Sequence, residues 1–271
     1  MTSRSLAIAL ALFPGCAPSE PPAAPLAPGK PLRPPVEADL LASVAALAPG
    51  SAFEIGVRLR IAPGWHVYWL NPGESGLRTR VAFRAPAGFT VSEPRFPGPR
   101  RFQALGATSF GYEGETLVMA RVEASSKAAG EARFEADASW LACKDVCMPG
   151  KASLALALPA AGEADAALFD RHRARLPRPL GELMGAELSR AGTGDAPALV
   201  LHVPGAEKLD FFPAPSEWLE LASLEQRPSG QGLTLTAAFR RLAGAGGGRE
   251  PGGVLLWTRG SETVYYDVST P

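Results

Sequence analysis

Residues 132–158 read ARFEADASWLACKDVCMPGKASLALAL, and this stretch contains two of the three cysteines of the chain. Its first part alternates between apolar and polar residues, which is the pattern of a half-buried β-strand. One face of that strand would carry Phe134, Ala136, Ala138, Trp140 and Ala142. The pattern predicts a strand that delivers Cys143 to its end. A second strand is predicted over residues 152–158, after a stop at Pro149 and Gly150.

The spacing of Cys143 and Cys147 decides what lies between the two strands. Four residues of extended chain span about 13 Å, whereas disulfide-bonded cysteines have Cα atoms roughly 4.4 to 6.8 Å apart. The segment 144–146 must therefore turn if the two sulfurs are to bond. We expect the pair at a hairpin tip or in a one-turn helix, where another protein can reach it.

Such a pair is either a structural staple or a redox switch. Closing a loop of three intervening residues stabilises a fold only at the lower end of the range of roughly 0 to 5 kcal/mol. A domain of about 110 residues can bury a sufficient core without that contribution, and tight, strained disulfides are the easily reduced ones. The residues alone favour the switch and leave the staple open.

Short alternating runs separated by Pro and Gly turns recur on both sides of this stretch and indicate an all-β protein. We predict two β-sandwich domains, at residues 49–160 and 186–271. The linker between them, residues 161–185, contains an Ala-rich, charged run at 163–175 that predicts one exposed helix. The second domain has no cysteine, and we expect it to be a spacer or a docking surface.

The N-terminus has the composition of an export signal. An apolar run from Leu6 to Phe13 follows Arg4 and ends at Pro14-Gly15-Cys16, which predicts a signal peptide over residues 1–15. Cys16 is then the expected lipidation site of a membrane-anchored periplasmic lipoprotein, and residues 16–48 are an expected Pro/Ala-rich tether. Export to an oxidising compartment allows the remaining cysteines to form a disulfide.

Charge argues against nucleic acid as a partner. The chain has 27 basic and 27 acidic residues, without the basic surface that phosphate binding requires. The three histidines, His66, His172 and His202, show no metal-binding or Ser-His-Asp spacing, and we expect them to be solvent-exposed. No cofactor and no metal site are predicted.

Three segments together carry a family resemblance. They are the segment from Trp140 to Pro149 and, upstream of it, the runs Gly64-Trp-His-Val-Tyr-Trp-Leu-Asn-Pro-Gly73 and Phe110-Gly-Tyr-Glu-Gly114. They resemble the N-terminal periplasmic domain of the thiol:disulfide interchange protein DsbD, especially its ScsB-like branch, over about residues 50 to 160. Asp210-Phe-Phe-Pro213 and Gly253-Val-Leu-Leu256 resemble the second extracytoplasmic domain of that branch.

The resemblance implies immunoglobulin-like folds and a redox-active pair, Cys143 and Cys147. By family analogy, Cys147 forms the mixed disulfide with partners and Cys143 resolves it. An aromatic cap is implied within residues 100–112, and the site-lining candidates are Phe102, Tyr112 and Trp140. The implied partners are a membrane-embedded thiol reductase and periplasmic thioredoxin-like proteins. We expect a monomeric module that takes electrons from a separate membrane protein.

Two other functions remain open. The same cysteines could bind Cu(I) with His66, Met119 and Met148, because soft sulfur ligands select that ion. Alternatively, the chain is a binding module whose disulfide only stabilises a loop. Dinuclear copper centres of cupredoxins also contain Cys-x3-Cys, followed by a His and a Met ligand. Here Lys151 and Leu154 occupy the places of those two ligands.

Overall fold

The computed structural model describes residues 34–104, 106–128, 130–159, 164–242 and 250–269. They form two mainly antiparallel β-sandwiches, as the alternating pattern predicts, connected by one short α-helix. The immunoglobulin-like architecture is the one that the family resemblance implies. No helix in the described part of the chain has the length and apolarity to cross a membrane.

The described residues of the first sandwich form ten strands. In chain order they are β1 (Val36–Ala42), β2 (Ala52–Ile61), β3 (His66–Gly73), β4 (Arg80–Arg84), β5 (Phe89–Val91), β6 (Arg100–Ala104), β7 (Ala107–Tyr112), β8 (Glu115–Ala124), β9 (Ala132–Cys143) and β10 (Cys147–Leu158). One sheet has the order β1-β2-β8-β5, and the other has the order β10-β9-β3-β7-β6, with β4 also paired to β9. Helix α1 (Ala166–Arg173) follows this sandwich.

The second sandwich begins at the short strand β11 (Arg178–Pro179), followed by a 3₁₀ turn over Leu180–Glu182. Its other strands are β12 (Glu187–Thr193), β13 (Ala196–Pro204), β14 (Lys208–Pro213), β15 (Leu219–Ser229), β16 (Gly232–Arg241), β17 (Gly253–Arg259) and β18 (Glu262–Asp267). The sheet orders are β11-β18-β17-β14 and β12-β13-β16-β15. Only β11 and β18 pair in parallel within these two sheets.

The inner side chains of the two sheets build the core of the first sandwich. The predicted face of β9 is confirmed, since Phe134 and Ala136 are fully buried and Trp140 is 8% exposed. The second sandwich contributes to this core as well. Phe212 from β14 is fully buried in it, with its ring centroid 5.4 Å from that of Phe110. The two sandwiches therefore share apolar packing.

The predicted tether is too long. Residues 36–42 form strand β1, which pairs with β2 over its whole length, so a tether can extend at most to residue 35. Val36, Leu40 and Ala42 are buried. This strand was missed because small alanines weaken the apolar contrast of its alternation. The predicted signal peptide and the lipidation site Cys16 lie outside the described residues.

Three further predictions need correction. Helix α1 is exposed on one face only, because Phe169 is fully buried against Leu117 and Met119 of β8. His172 on the same helix is 6% exposed, so the expectation of solvent exposure was wrong for it. Strand β10 begins at Cys147 and runs through Pro149, which pairs with Leu141. Proline is tolerated there because β10 is an edge strand and has no second neighbour that needs an N–H donor.

Candidate functional site

The cysteine pair lies at the tip of the β9–β10 hairpin. Cys143 is the last residue of β9 and Cys147 the first of β10, and the antiparallel register places them directly opposite each other. Their sulfurs are bonded, and their Cα atoms are 4.1 Å apart. Residues 144–146 form the bend, in which the Lys144 N–H donates to the Val146 carbonyl oxygen at 3.0 Å. Of the two predicted geometries, the hairpin tip is the observed one.

The two cysteines differ in exposure. Cys143 is 3% exposed, because its strand is paired on both sides at this point, with β3 and β10. Cys147 is exposed on the edge strand. Val146 beside it is 62% exposed, so an apolar side chain faces solvent next to the accessible sulfur. An incoming thiol would meet Cys147 before Cys143.

A half-buried histidine is the neighbour of the buried cysteine. His66 on β3 pairs directly with Cys143 on β9, and side chains opposite each other across an antiparallel pair have Cβ atoms about 4.5 to 5.5 Å apart. The prediction that His66 is solvent-exposed was wrong. Burial lowers the pKa of His66, against an opposing effect of Glu113. Burial therefore favours the neutral imidazole. A neutral imidazole can accept a proton, and its lowered pKa makes it a weaker base than an exposed histidine.

Two aromatic rings enclose this histidine. The Phe102 ring stacks on the His66 imidazole, with centroids 4.9 Å apart and an interplanar angle of 18°. The Tyr68 ring meets it edge-on at 5.1 Å. Phe102 lies two strands away from His66, and Gly111 lies on the strand between them. A Cβ atom at Gly111 would lie 2.0 Å from the Val67 carbonyl oxygen, so only glycine fits at this point.

The other two aromatic candidates lie on the inner face of the same sheet. Tyr112 is 1% exposed, and its hydroxyl donates to the Pro97 carbonyl oxygen at 2.7 Å. Trp140 packs over Gly150 and lines a groove of about 1620 Å³ between the sandwiches. Among the three aromatic candidates, Phe102 is the one that shares a sheet face with Cys143.

The structure brings together only part of the ligand set considered for copper, since His66 lies opposite Cys143 and Met119 lies elsewhere. Met119 is fully buried on the other sheet, beneath helix α1, so it cannot join the cysteines in one site. Met148 follows Cys147 directly. The described residues contain no group of three or more His, Cys, Asp or Glu side chains that could hold a metal ion.

Comparison with protein families identifies the first sandwich. Residues 36–159 match the family described as thiol:disulfide interchange protein DsbD, N-terminal. The first sandwich is a DsbD N-terminal-like domain. The match begins at Val36, the first residue of β1, and ends one residue after β10.

A solved structure shares the fold of the two sandwiches. The crystal structure of the N-terminal periplasmic domain of ScsB from Proteus mirabilis is 19% identical and aligns with a TM-score of 0.61. The alignment covers 87% of this chain and 92% of that one, so both sandwiches have counterparts. The reduced DsbD N-terminal domain of Neisseria meningitidis is 18% identical over 47% of this chain and 86% of its own, with a TM-score of 0.28. A comparison with curated protein sequences gave no match.

Sequence reasoning grouped His66 with the cysteines only as a possible Cu(I) ligand and did not predict it as the cross-strand neighbour of Cys143. Alternation from Trp65 to Trp69 places His66 and Tyr68 on one face and predicts Val67 and Trp69 in the core, where the structure has them. The pairing of His66 with Cys143 depends on the register between β3 and β9. That register joins segments more than 70 residues apart, and no local signal reveals it.

Proposed function

We propose that this chain is a periplasmic thiol–disulfide exchange module that relays electrons through Cys143 and Cys147. The observation that carries the proposal is the exposed Cys147 bonded to a buried Cys143, at an accessible hairpin tip of a DsbD N-terminal-like domain. The module would act as a protein-disulfide reductase. Its electrons would come from a membrane-embedded thiol reductase and pass to thioredoxin-like clients.

Exchange proceeds in two displacements. In the reduced protein, the Cys147 thiolate attacks a client disulfide, which forms a mixed disulfide and expels one client sulfur as a thiolate. Cys143 then loses its proton, for which His66, opposite it on β3, is the proposed acceptor, and attacks the Cys147 sulfur. The second client sulfur leaves as a thiolate. The client gains two electrons, and the Cys143–Cys147 disulfide re-forms.

Recharging the module reverses these steps. A thiolate of the membrane reductase attacks the exposed Cys147 sulfur and expels Cys143 as a thiolate, and a second reductase thiol then releases Cys147. The exposed Val146 would add apolar contact for either partner. In this proposal, lipidation of Cys16 holds the module at a bacterial envelope membrane, where the reductase resides.

A trapping experiment tests which sulfur is attacked. In Cys143→Ala, Cys147 has no resolving partner, and we expect it to accumulate a mixed disulfide with a thioredoxin-like protein in a periplasmic extract. Cys147→Ala is the matched control. Its buried Cys143 should react with a small aromatic disulfide at least about tenfold more slowly than Cys147 does in the first variant.

The readouts are non-reducing electrophoresis and mass spectrometry of the trapped species. Equal trapping by the two variants would contradict the assignment of Cys147. The absence of any adduct in Cys143→Ala would contradict exchange with protein partners.

A further inference from the structure

Adjacent residues of strand β6 face opposite sides of its sheet. Phe102 is opposite Ser109 on the outer face and stacks on His66, beside Cys143. Arg101 is opposite Phe110 on the inner face, towards the second sandwich. Anything that fixes Arg101 therefore also fixes where Phe102 lies.

Arg101 is held by the second sandwich through several contacts at once. Its Nη2 donates to Asp210 Oδ1 at 2.6 Å, its Nε donates to Asp210 Oδ2 at 3.1 Å, and Nη2 also donates to the Phe211 carbonyl oxygen at 3.0 Å. Its guanidinium carbon lies 5.0 Å from the ring centroid of Phe110 and 5.6 Å from that of Phe212. A bidentate guanidinium–carboxylate pair stacked on aromatic rings is strong and has a fixed geometry.

The Arg101–Asp210 pair connects the two sandwiches. Of the salt bridges between residues that the structure describes, Arg101–Asp210 is the one that joins strands of the two sandwiches. The side chains are 26% and 18% exposed, so solvent screens their attraction only in part. The pair therefore couples β6 to β14 more firmly than an exposed ion pair would.

Strand β6 needs such support. It is the last strand of its sheet and pairs only with β7 among the described strands. An edge strand held on one side opens more easily than an internal strand, because fewer hydrogen bonds must break. The contacts of Arg101 supply a second attachment, on the face opposite to Phe102.

We infer that Arg101 and Asp210 form a clamp by which the second sandwich keeps Phe102 over His66, beside the buried Cys143, and so slows reduction of the disulfide, in which Cys143 must leave as a thiolate. The second sandwich thereby sets how fast the cysteine pair of the first sandwich reacts. The benefit of this control for client selection rests on the proposed function. The rate of reduction itself can be measured without any protein partner.

The test measures the rate at which dithiothreitol reduces the Cys143–Cys147 disulfide in the full chain. We expect Arg101→Ala to be reduced at least about threefold faster than the unaltered protein, because β6 opens more often. Asp210→Asn is a gentler second variant, because the asparagine side-chain oxygen can still accept a hydrogen bond from the Phe211 N–H. Its disulfide should also be reduced faster than that of the unaltered protein. The charge exchange Arg101→Asp with Asp210→Arg should restore a slow rate.

Two controls separate the clamp from general loosening. Asn71→Ala removes another hydrogen bond between the sandwiches, from Asn71 Nδ2 to the Pro213 carbonyl oxygen at 3.0 Å. Arg58→Ala breaks a partly buried pair with Asp39 on the other sheet. Both variants should keep the rate of the unaltered protein.

A double-mutant comparison shows whether Arg101 acts through Phe102. We expect Phe102→Ala alone to accelerate reduction, and the addition of Arg101→Ala to give no further increase. A rate in Arg101→Ala equal to that of the unaltered protein would overturn the inference, and so would additive effects in the double variant. If no client is ever trapped but these rates differ as expected, the clamp stands and the proposed function fails.

Discussion

The two sandwiches have similar architecture and different chemistry. Each has two antiparallel sheets around an apolar core. The first carries the disulfide at a hairpin tip, with His66 and Phe102 on the outer face of the same sheet. The second has no cysteine, and its strand β14 supplies Asp210 and Phe212 to the first sandwich. In our proposal, the first sandwich reacts while the second controls the geometry of the reacting site.

Two adjacent phenylalanines of β14 separate the contributions of the two cores. Phe211 and Phe212 are both fully buried, but Phe211 packs in the second core and Phe212 in the first. We expect Phe211→Ala and Phe212→Ala each to lower the free energy of unfolding by about 3 to 5 kcal/mol, measured by denaturant titration. Only Phe212→Ala should also speed reduction of the disulfide by dithiothreitol, because its ring contacts Arg101.

The outcome distinguishes the roles of the two cores. Equal acceleration in both variants would mean that any destabilisation speeds reduction of the disulfide. In that case the second sandwich would have no specific effect on the site.

A smaller effect on the free energy of unfolding is expected from pH, through two histidines that pack in or against the first sandwich. Burial lowers the pKa of His66, and it also lowers that of His172, which contacts Glu115 on β8. The folded state therefore binds protons less readily than the unfolded chain, whose histidines titrate near pH 6.5. The stability is full above about pH 6.5 and falls as the pH decreases towards the folded pKa values.

Denaturant titrations between about pH 8 and pH 5 check this prediction. The free energy of unfolding should fall less steeply in His66→Asn than in the unaltered protein, and least in the double variant with His172→Asn. Identical profiles for all three proteins would show that neither imidazole is held neutral by the fold.

The strands with strong alternation and the turn between the cysteines could be predicted from the sequence, because both depend on local patterns. Strands β6 and β7 were not predicted, since residues such as Arg101 and Gly111 interrupt the apolar alternation for reasons that lie elsewhere in the fold. Gly111 makes room for a neighbouring backbone, and Arg101 meets Asp210, 109 residues further along the chain. Contacts of this kind depend on strand register and on packing of the sandwiches, which local sequence does not reveal.

A redox titration of the full chain distinguishes a redox-active disulfide from a purely structural one. The protein is equilibrated in dithiothreitol or glutathione buffers, and alkylated Cys143 and Cys147 are counted by mass spectrometry. We predict that the pair becomes reduced at a midpoint above about −300 mV, in the range of disulfides that exchange. A pair that stays oxidised well below that potential would contradict the account and show that the disulfide only holds the hairpin together.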